Sequence, residues 1–322
     1  MSLPVYLAAF IAFLLSVLIC PLFIRFSRRQ QYGQQIRSDG PRRHFRKAGT
    51  PTMGGVVFLV SFLITLIFFS PKSPLLILAL MITLSSAFLG FMDDYLKVVK
   101  RRSLGLKARE KLLGQFIFAI FFYIVLLFLG HSTVVSVPFS ALELDFGIFY
   151  PFLIIVWMMG FSNAVNLTDG IDGLAGGTAI LALLAFLFLA SIQGIQEIVY
   201  FCGTLIGAVF GFLIFNLHPA RVFMGDVGSL SLGTALAVVA ILTKAEFSLL
   251  IIGGIFVLET LSVILQVIFF RLTGKRMFLM SPLHHHFEMK GWPEWHVVTG
   301  FWAMGFCLAL LGLLEFTPIL RW

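Results

Sequence analysis

The chain has 322 residues, 59% of them hydrophobic and 12% charged, with a formal net charge of +8. Soluble domains run at about 45–50% apolar and about 25% charged residues, so this balance excludes an ordinary soluble fold and indicates a polytopic membrane protein. In such a chain a positive excess reflects topology before it reflects nucleic acid, and no nucleic-acid partner is expected.

A transmembrane helix needs about 20 apolar residues. Runs near 3–24, 52–70, 74–96, 112–130, 149–166, 173–192, 197–215, 228–243, 246–270 and 297–316 qualify. The expected fold is an all-α polytopic membrane protein of about ten transmembrane helices, forming a single integral membrane domain over residues 1–322. No Lys or Arg precedes the first run, which reads as an uncleaved span and not a signal peptide. The ninth run is long for a bilayer and should tilt, bend or continue beyond it. Cys20, Cys202 and Cys307 lie in apolar runs without ligand spacing and read as small buried hydrophobes. Of the 23 Lys and Arg residues, all but Lys72, Lys244 and Arg321 fall in alternate connections. That bias predicts both termini outside and the basic loops cytoplasmic. The outer segment from His131 to Gly147 lacks basic residues, alternates loosely and predicts a short hairpin.

Between the fifth and sixth runs lies GFSNAVNLTDGIDGLAGG, Gly160 to Gly177. Asn163, Asn166, Asp169 and Asp172 recur every third residue, a step of about 300° on an α-helix. On an unbroken helix the first and last would point about half a turn apart. Gly170 and Gly173 supply a break, which predicts a helix end, a polar turn and a new helix start, with Gly176 and Gly177 easing close packing. A carboxylate near the membrane centre costs about 3 kcal/mol on insertion scales. Ordinary capping would account for part of this pattern, but the density of Asn and Asp favours a ligand site. The predicted sidedness places this turn on the cytoplasmic face.

Other polar groups converge on the same face. Asp93 and Asp94 close the third span, about 100° apart on a helix, with Lys97 one turn from Asp93. Two adjacent acids suit a cation or a base, and an interfacial pair with Lys97 is the plainer reading. Asp226 is expected just before the eighth helix, where amide dipoles keep a carboxylate ionised. Asn216 lies before Pro219, which stops the seventh helix, and Phe223 offers a stacking surface or a lipid anchor. His284, His285 and His286 are consecutive, a poor chelating set that suits polar recognition of phosphate or sugar better than a metal. Lys47 and Thr52, beside a Gly-Thr-Pro turn, and Lys111 at the start of the fourth span are candidates for phosphate contacts. Glu259 is an intramembrane acid with no partner evident from sequence.

The segments TPTMGG, FMDDY, NAVNLTDGIDGLAGG, MGDVGS and SPLHHHFE, in this order across nearly the whole chain, resemble the phospho-N-acetylmuramoyl-pentapeptide transferase branch of the polyprenyl-phosphate N-acetylhexosamine-1-phosphate transferases. The resemblance implies transfer of phospho-MurNAc-pentapeptide from UDP-MurNAc-pentapeptide to undecaprenyl phosphate, giving lipid I and UMP in peptidoglycan synthesis. It implies Mg²⁺ as cofactor and a multi-pass protein of the bacterial inner membrane, with a second copy of the chain as a candidate partner. It makes Asp226 the metal ligand with Asp93 and Asp94 as acidic partners, Asp93 the favoured base or phosphate-activating residue, and His286 a further catalytic residue. It places Asn163, Asn166, Asp169, Gly170, Ile171, Asp172 and Phe223 in the substrate pocket. Lys47, Thr52, Lys111, Asn216, His284 and His285 would hold diphosphate, sugar or lipid phosphate. A UDP-GlcNAc:polyprenyl-phosphate transferase is the nearest alternative, disfavoured by the HHH run and TPTMGG. An ion-coupled transporter, which also uses broken helices and intramembrane acids, is disfavoured because these acids end spans at one face and no internal repeat is visible.

Overall fold

The computed structural model describes residues 3–31, 33, 47, 49–100 and 105–316. Arg37, Arg42, Arg43, Arg46, Arg101, Arg102 and Arg321, which enter the charge bias, lie outside the described residues. Twelve α-helices and one hairpin follow in order: α1 (Leu3–Arg29), α2 (Gly55–Phe69), α3 (Pro74–Val98), α4 (Ala108–Phe128), β1 (Val134–Ser136), β2 (Glu143–Asp145), α5 (Tyr150–Thr168), α6 (Leu174–Gln193), α7 (Gln196–Asn216), α8 (Gly225–Leu242), α9 (Leu249–Ile252), α10 (Gly254–Thr273), α11 (Leu283–Met289) and α12 (Glu294–Leu314).

Among the described residues nine helices are long and apolar enough to cross a membrane. The second expected span, α2, has 15 residues, or about 22 Å at 1.5 Å per residue, short of a bilayer core of about 30 Å. Its start is fixed by Pro51–Gly54, which runs beside the approach to α8: the Phe223 N–H donates to Pro51 C=O at 2.8 Å, and the Gly54 N–H to Phe223 C=O at 2.8 Å. The expected ninth span is two helices, α9 and α10, meeting at Gly253. The predicted hairpin is present, with Val134 opposite Asp145 and Ser136 opposite Glu143. Cys20 and Cys202 are buried as expected, whereas Cys307 is exposed on α12, where a lipid chain is a suitable neighbour.

The centre of the bundle is α8, in which every residue from Val227 to Leu242 is buried. Its Gly, Ser and Ala residues let α2, α3, α5 and α6 approach closely, as small residues do between helices in lipid. Polar side chains around α8 pair with one another or with backbone: Ser162 donates to Leu230 C=O at 3.1 Å, Thr234 to Ser86 at 2.9 Å and Gln115 to Ser162 at 3.0 Å. α3 lies tightly on the first turn of α8, where a Cβ at Gly90 would lie 2.2 Å from the Asp226 carbonyl oxygen.

The two ends of the bundle carry different chemistry. At the hairpin end, buried Glu246 accepts from the Tyr150 hydroxyl at 2.6 Å and Lys244 at 3.1 Å, while the Trp157 indole donates to its backbone carbonyl at 2.7 Å. This network ties the α8–α9 turn to α5. The other end gathers the α1–α2, α3–α4, α5–α6, α7–α8 and α10–α12 connections around a group of carboxylates.

Candidate active site

Asp93 and Asp94 sit in the last two turns of α3, and both are buried. Asp226 lies inside the first turn of α8 and not before it, because the helix starts at Gly225, earlier than the apolar run predicts. The three carboxylates each offer an oxygen within 4.8 Å of the others. Each is held from a different direction. Asp93 accepts the Leu106 N–H at 2.8 Å, pairs with Lys97 one turn along α3, and lies 3.1 Å from the Lys111 ammonium. Asp94 accepts the Val227 N–H at 3.0 Å, one of the free amides of the α8 N-terminus. Asp226 pairs with Lys111, lies 3.1 Å from the Lys97 ammonium, and accepts from Asn166 at 3.0 Å. Asn166 also donates to Ser229 at 2.8 Å, which fixes its amide across the α5–α8 contact.

Three carboxylates face two ammonium groups here, so one negative charge is uncompensated within the cluster. An all-oxygen donor set of this kind fits a hard divalent cation and does not fit a metal that seeks thiolate or imidazole. The same two lysines can meet phosphate oxygens. The plain reading of Asp93 with Lys97 as an i,i+4 pair is therefore correct but incomplete, since Lys97 also reaches Asp226 on another helix.

The polar stretch breaks as expected. The α5 helix ends at Thr168 and α6 begins at Leu174, with Gly173 at φ 80°, a left-handed conformation that glycine adopts without strain. The four polar residues diverge. Asn163 donates to Gln115 on α4 at 2.9 Å and to its own helix at Met159 C=O, away from the acids. Asn166 reaches Asp226. The Asp169 carboxylate has no hydrogen-bond or ion-pair partner among the described residues. Asp172 joins a second group, accepting from Lys47 at 2.7 Å and the Ala220 N–H at 3.0 Å, with His218 Nδ1 at 3.1 Å.

Glu294, the first residue of α12, completes that second group. It accepts from Lys47 at 2.6 Å and from the Asp172 N–H at 2.7 Å. Burial pulls the Lys47 ammonium down, but Asp172 and Glu294 outweigh it and hold the lysine above its usual range. Both carboxylates are thus already engaged by Lys47. Neither Glu294 nor His218 was singled out by sequence, where Pro293-Glu294 reads as an ordinary helix start and His218 as a loop residue.

The remaining expected site residues are placed as follows. Thr52 is buried beside the α8 N-terminus. Asn216 is buried as a clamp, accepting the Gly173 N–H at 3.1 Å and donating to Val222 C=O at 2.9 Å. Ile171 packs in an apolar cluster with Leu174, Ile255, Val297 and Phe301. Phe223 is half-buried, its backbone paired with the TPTMGG segment. The histidines lie on α11: His284 is fully buried against Glu259, His285 Nδ1 is 2.8 Å from Glu288, and His286 Nδ1 accepts the Leu279 N–H at 3.1 Å. Partial burial and nearby Lys290 hold His286 below the ordinary histidine range.

Burial and the carboxylates of Asp226, Asp94 and Asp172 push the Asp169 carboxyl up to about 8. A native pKa above the unfolded value of about 3.9 means the native state holds the extra proton. Its contribution to stability is complete below the unfolded pKa and is lost as pH rises through about 8. Asp169→Asn should therefore flatten the fall in melting temperature of the chelator-treated protein between about pH 4 and 8. An unchanged pH slope in that window would contradict this environment for Asp169.

Comparison with known proteins agrees with this geometry. The family description "Glycosyl transferase family 4" matches residues 75–244, and phospho-N-acetylmuramoyl-pentapeptide-transferase signature 1 matches residues 47–59. The chain is 54% identical over 305 residues to the phospho-N-acetylmuramoyl-pentapeptide-transferase of Bacillus licheniformis, covering 94% of each chain. It is 53% identical over 311 residues to that of a Geobacillus species, covering 95% of this chain and 96% of the relative. It is 53% identical over 305 residues to that of Bacillus subtilis, covering 94% of each. A polar site at one end of an apolar helical bundle, with acids on α3 and α8 and similarity running nearly end to end, leads to one assignment: the chain belongs to the phospho-N-acetylmuramoyl-pentapeptide transferase family.

Proposed function

We propose that the chain transfers phospho-MurNAc-pentapeptide from UDP-MurNAc-pentapeptide to undecaprenyl phosphate, giving lipid I and UMP, at the cytoplasmic face of the bacterial inner membrane. The observation that carries this reading is the cluster of Asp93, Asp94 and Asp226 interleaved with Lys97 and Lys111, at one end of an apolar helical bundle in this family. In the transfer, an oxygen of the lipid phosphate forms a bond to the donor's sugar-linked phosphorus. The pyrophosphate bond breaks and UMP leaves.

Asp226, Asp93 and Asp94 would hold Mg²⁺, which supplies charge neutralisation for the two repelling phosphate groups. Lys97 and Lys111 then exchange carboxylate partners for phosphate oxygens, keeping both substrates within reach of each other. Both Asp93 oxygens are already engaged, by the Leu106 N–H and by the two lysines. Donor diphosphate and lipid phosphate held side by side need no covalent stage to meet, which favours direct attack with Asp93 as a positioning group. Asn166 holds Asp226 in place, and Asp169 and Asp172 line the turn on which the nucleotide would lie.

Sealed membrane vesicles test the assignment together with its sidedness. Inside-out vesicles given UDP-MurNAc-pentapeptide and Mg²⁺ should form a lipid-extractable product with one UMP each, and lose this with a chelator. Right-side-out vesicles should form none. Activity confined to right-side-out vesicles, or indifferent to chelation, would contradict the proposal.

A further inference from the structure

Glu259 lies in the second turn of α10, a helix whose other side presents Leu258, Leu261, Ile264 and Leu265 as exposed apolar surface. Its own side chain is 0% exposed. A carboxylate at such a position is costly unless something holds it. The group beside it is His284 on α11, also 0% exposed. One Glu259 oxygen accepts the His284 backbone N–H at 3.2 Å and lies 3.2 Å from the His284 ring Nδ1. On the far side of the ring, Nε2 lies 2.2 Å from where a Cβ at Gly170 would stand. The imidazole therefore fills the side-chain volume that Gly170 leaves open in the polar turn. Among the described residues neither ring nitrogen has a hydrogen-bond partner: Nδ1 stands 3.2 Å from the Glu259 carboxylate without hydrogen-bond geometry, and Nε2 is buried. The Asp169 carboxylate beside Gly170 is likewise without a partner among the described residues.

We propose that Glu259 is a positioning residue that acts through His284: it holds the α11 backbone by a hydrogen bond and sets its charge 3.2 Å from Nδ1, so that the ring seats the Asp169–Asp172 turn and presents Nε2 toward it. This rests on the transfer reaction proposed above. A carboxylate at Nδ1 selects the Nδ1–H tautomer and leaves Nε2 as an acceptor. A ring nitrogen of that kind accepts an N–H or O–H, and, buried against Gly170, it faces the backbone of the turn. The arrangement also ties α10, the helix broken from α9 at Gly253, to the nucleotide side of the site.

Two measurements test it. In ¹⁵N-histidine spectra of the wild-type protein in bilayers, with His284 assigned from the His284→Gln variant, the ring should carry its proton on Nδ1. A resonance pattern of the Nε2–H tautomer would overturn the proposal, whether or not the protein transfers anything, so this result is separable from failure of the assigned reaction. In the transfer assay, Glu259→Gln should lower kcat about tenfold, with the donor KM within about twofold. Combined with His284→Gln it should cost no more than His284→Gln alone. Full activity of Glu259→Gln, or losses that multiply in the double variant, would show that Glu259 does not work through His284.

Discussion

Asp226→Asn should lower kcat/KM for transfer by at least about a hundredfold while leaving the helical bundle intact. The amide keeps the shape and can still meet Asn166, but it removes the negative charge that Lys97 and Lys111 share. The substitution removes one of the three carboxylates that face the two lysines and so weakens the attraction for a cation. The loss should lie in kcat and in the Mg²⁺ concentration needed for half-maximal rate, measured on detergent-purified protein with an unchanged melting temperature. Turnover near wild type at ordinary Mg²⁺ would remove Asp226 from the centre of the site.

Gly90→Ala should be nearly as damaging without touching any charged group. The added methyl would stand 2.2 Å from the Asp226 carbonyl oxygen, 2.4 Å from its carbonyl carbon and 2.6 Å from the Val227 nitrogen. These are backbone atoms with no side-chain rotamer to give way, so α3 and α8 must separate. Overpacking of this kind costs about 1–3 kcal/mol. The separation also pulls Asp94 from the Val227 N–H and Asp226 from Asp93 and Lys97. A misplacement of about 1 Å at a reacting centre can cost about a hundredfold in rate, and that is the expected loss. Gly300→Ala on α12, where nothing lies within 4 Å of the new methyl, should keep both activity and melting temperature. Equal behaviour of the two variants would show that the α3–α8 contact does not set the site.

The helices were legible because lipid demands long apolar runs, and the hairpin because its strands alternate. The helix ends were less so. The start of α8 at Gly225 adds a polar first turn that hydropathy cannot include, which is why Asp226 is a helical residue and not a loop one. The break at Gly253 divides a run that hydropathy reads as continuous. In the polar stretch, the 300° step and the glycines correctly implied a broken helix. They could not say that Asn163 serves α4 through Gln115 while Asp172 serves Lys47 and Glu294. Lys47 and Glu294 are 247 residues apart in sequence, and no local pattern encodes such a pair. Asn216 is polar within an apolar context, and sequence could not show that its amide clamps the Gly173 and Val222 backbone. Glu259 had no visible partner for the same reason: His284 reaches it only after α10 and α11 fold back on each other.

The most direct test of the account is the donor choice of the purified protein with undecaprenyl phosphate and Mg²⁺. With UDP-MurNAc-pentapeptide, mass spectrometry of the lipid extract should show undecaprenyl-diphospho-MurNAc-pentapeptide, matched one to one by UMP in the aqueous phase, and UDP-GlcNAc should give neither. A GlcNAc-diphospholipid from UDP-GlcNAc, with no product from the muramoyl donor, would contradict it.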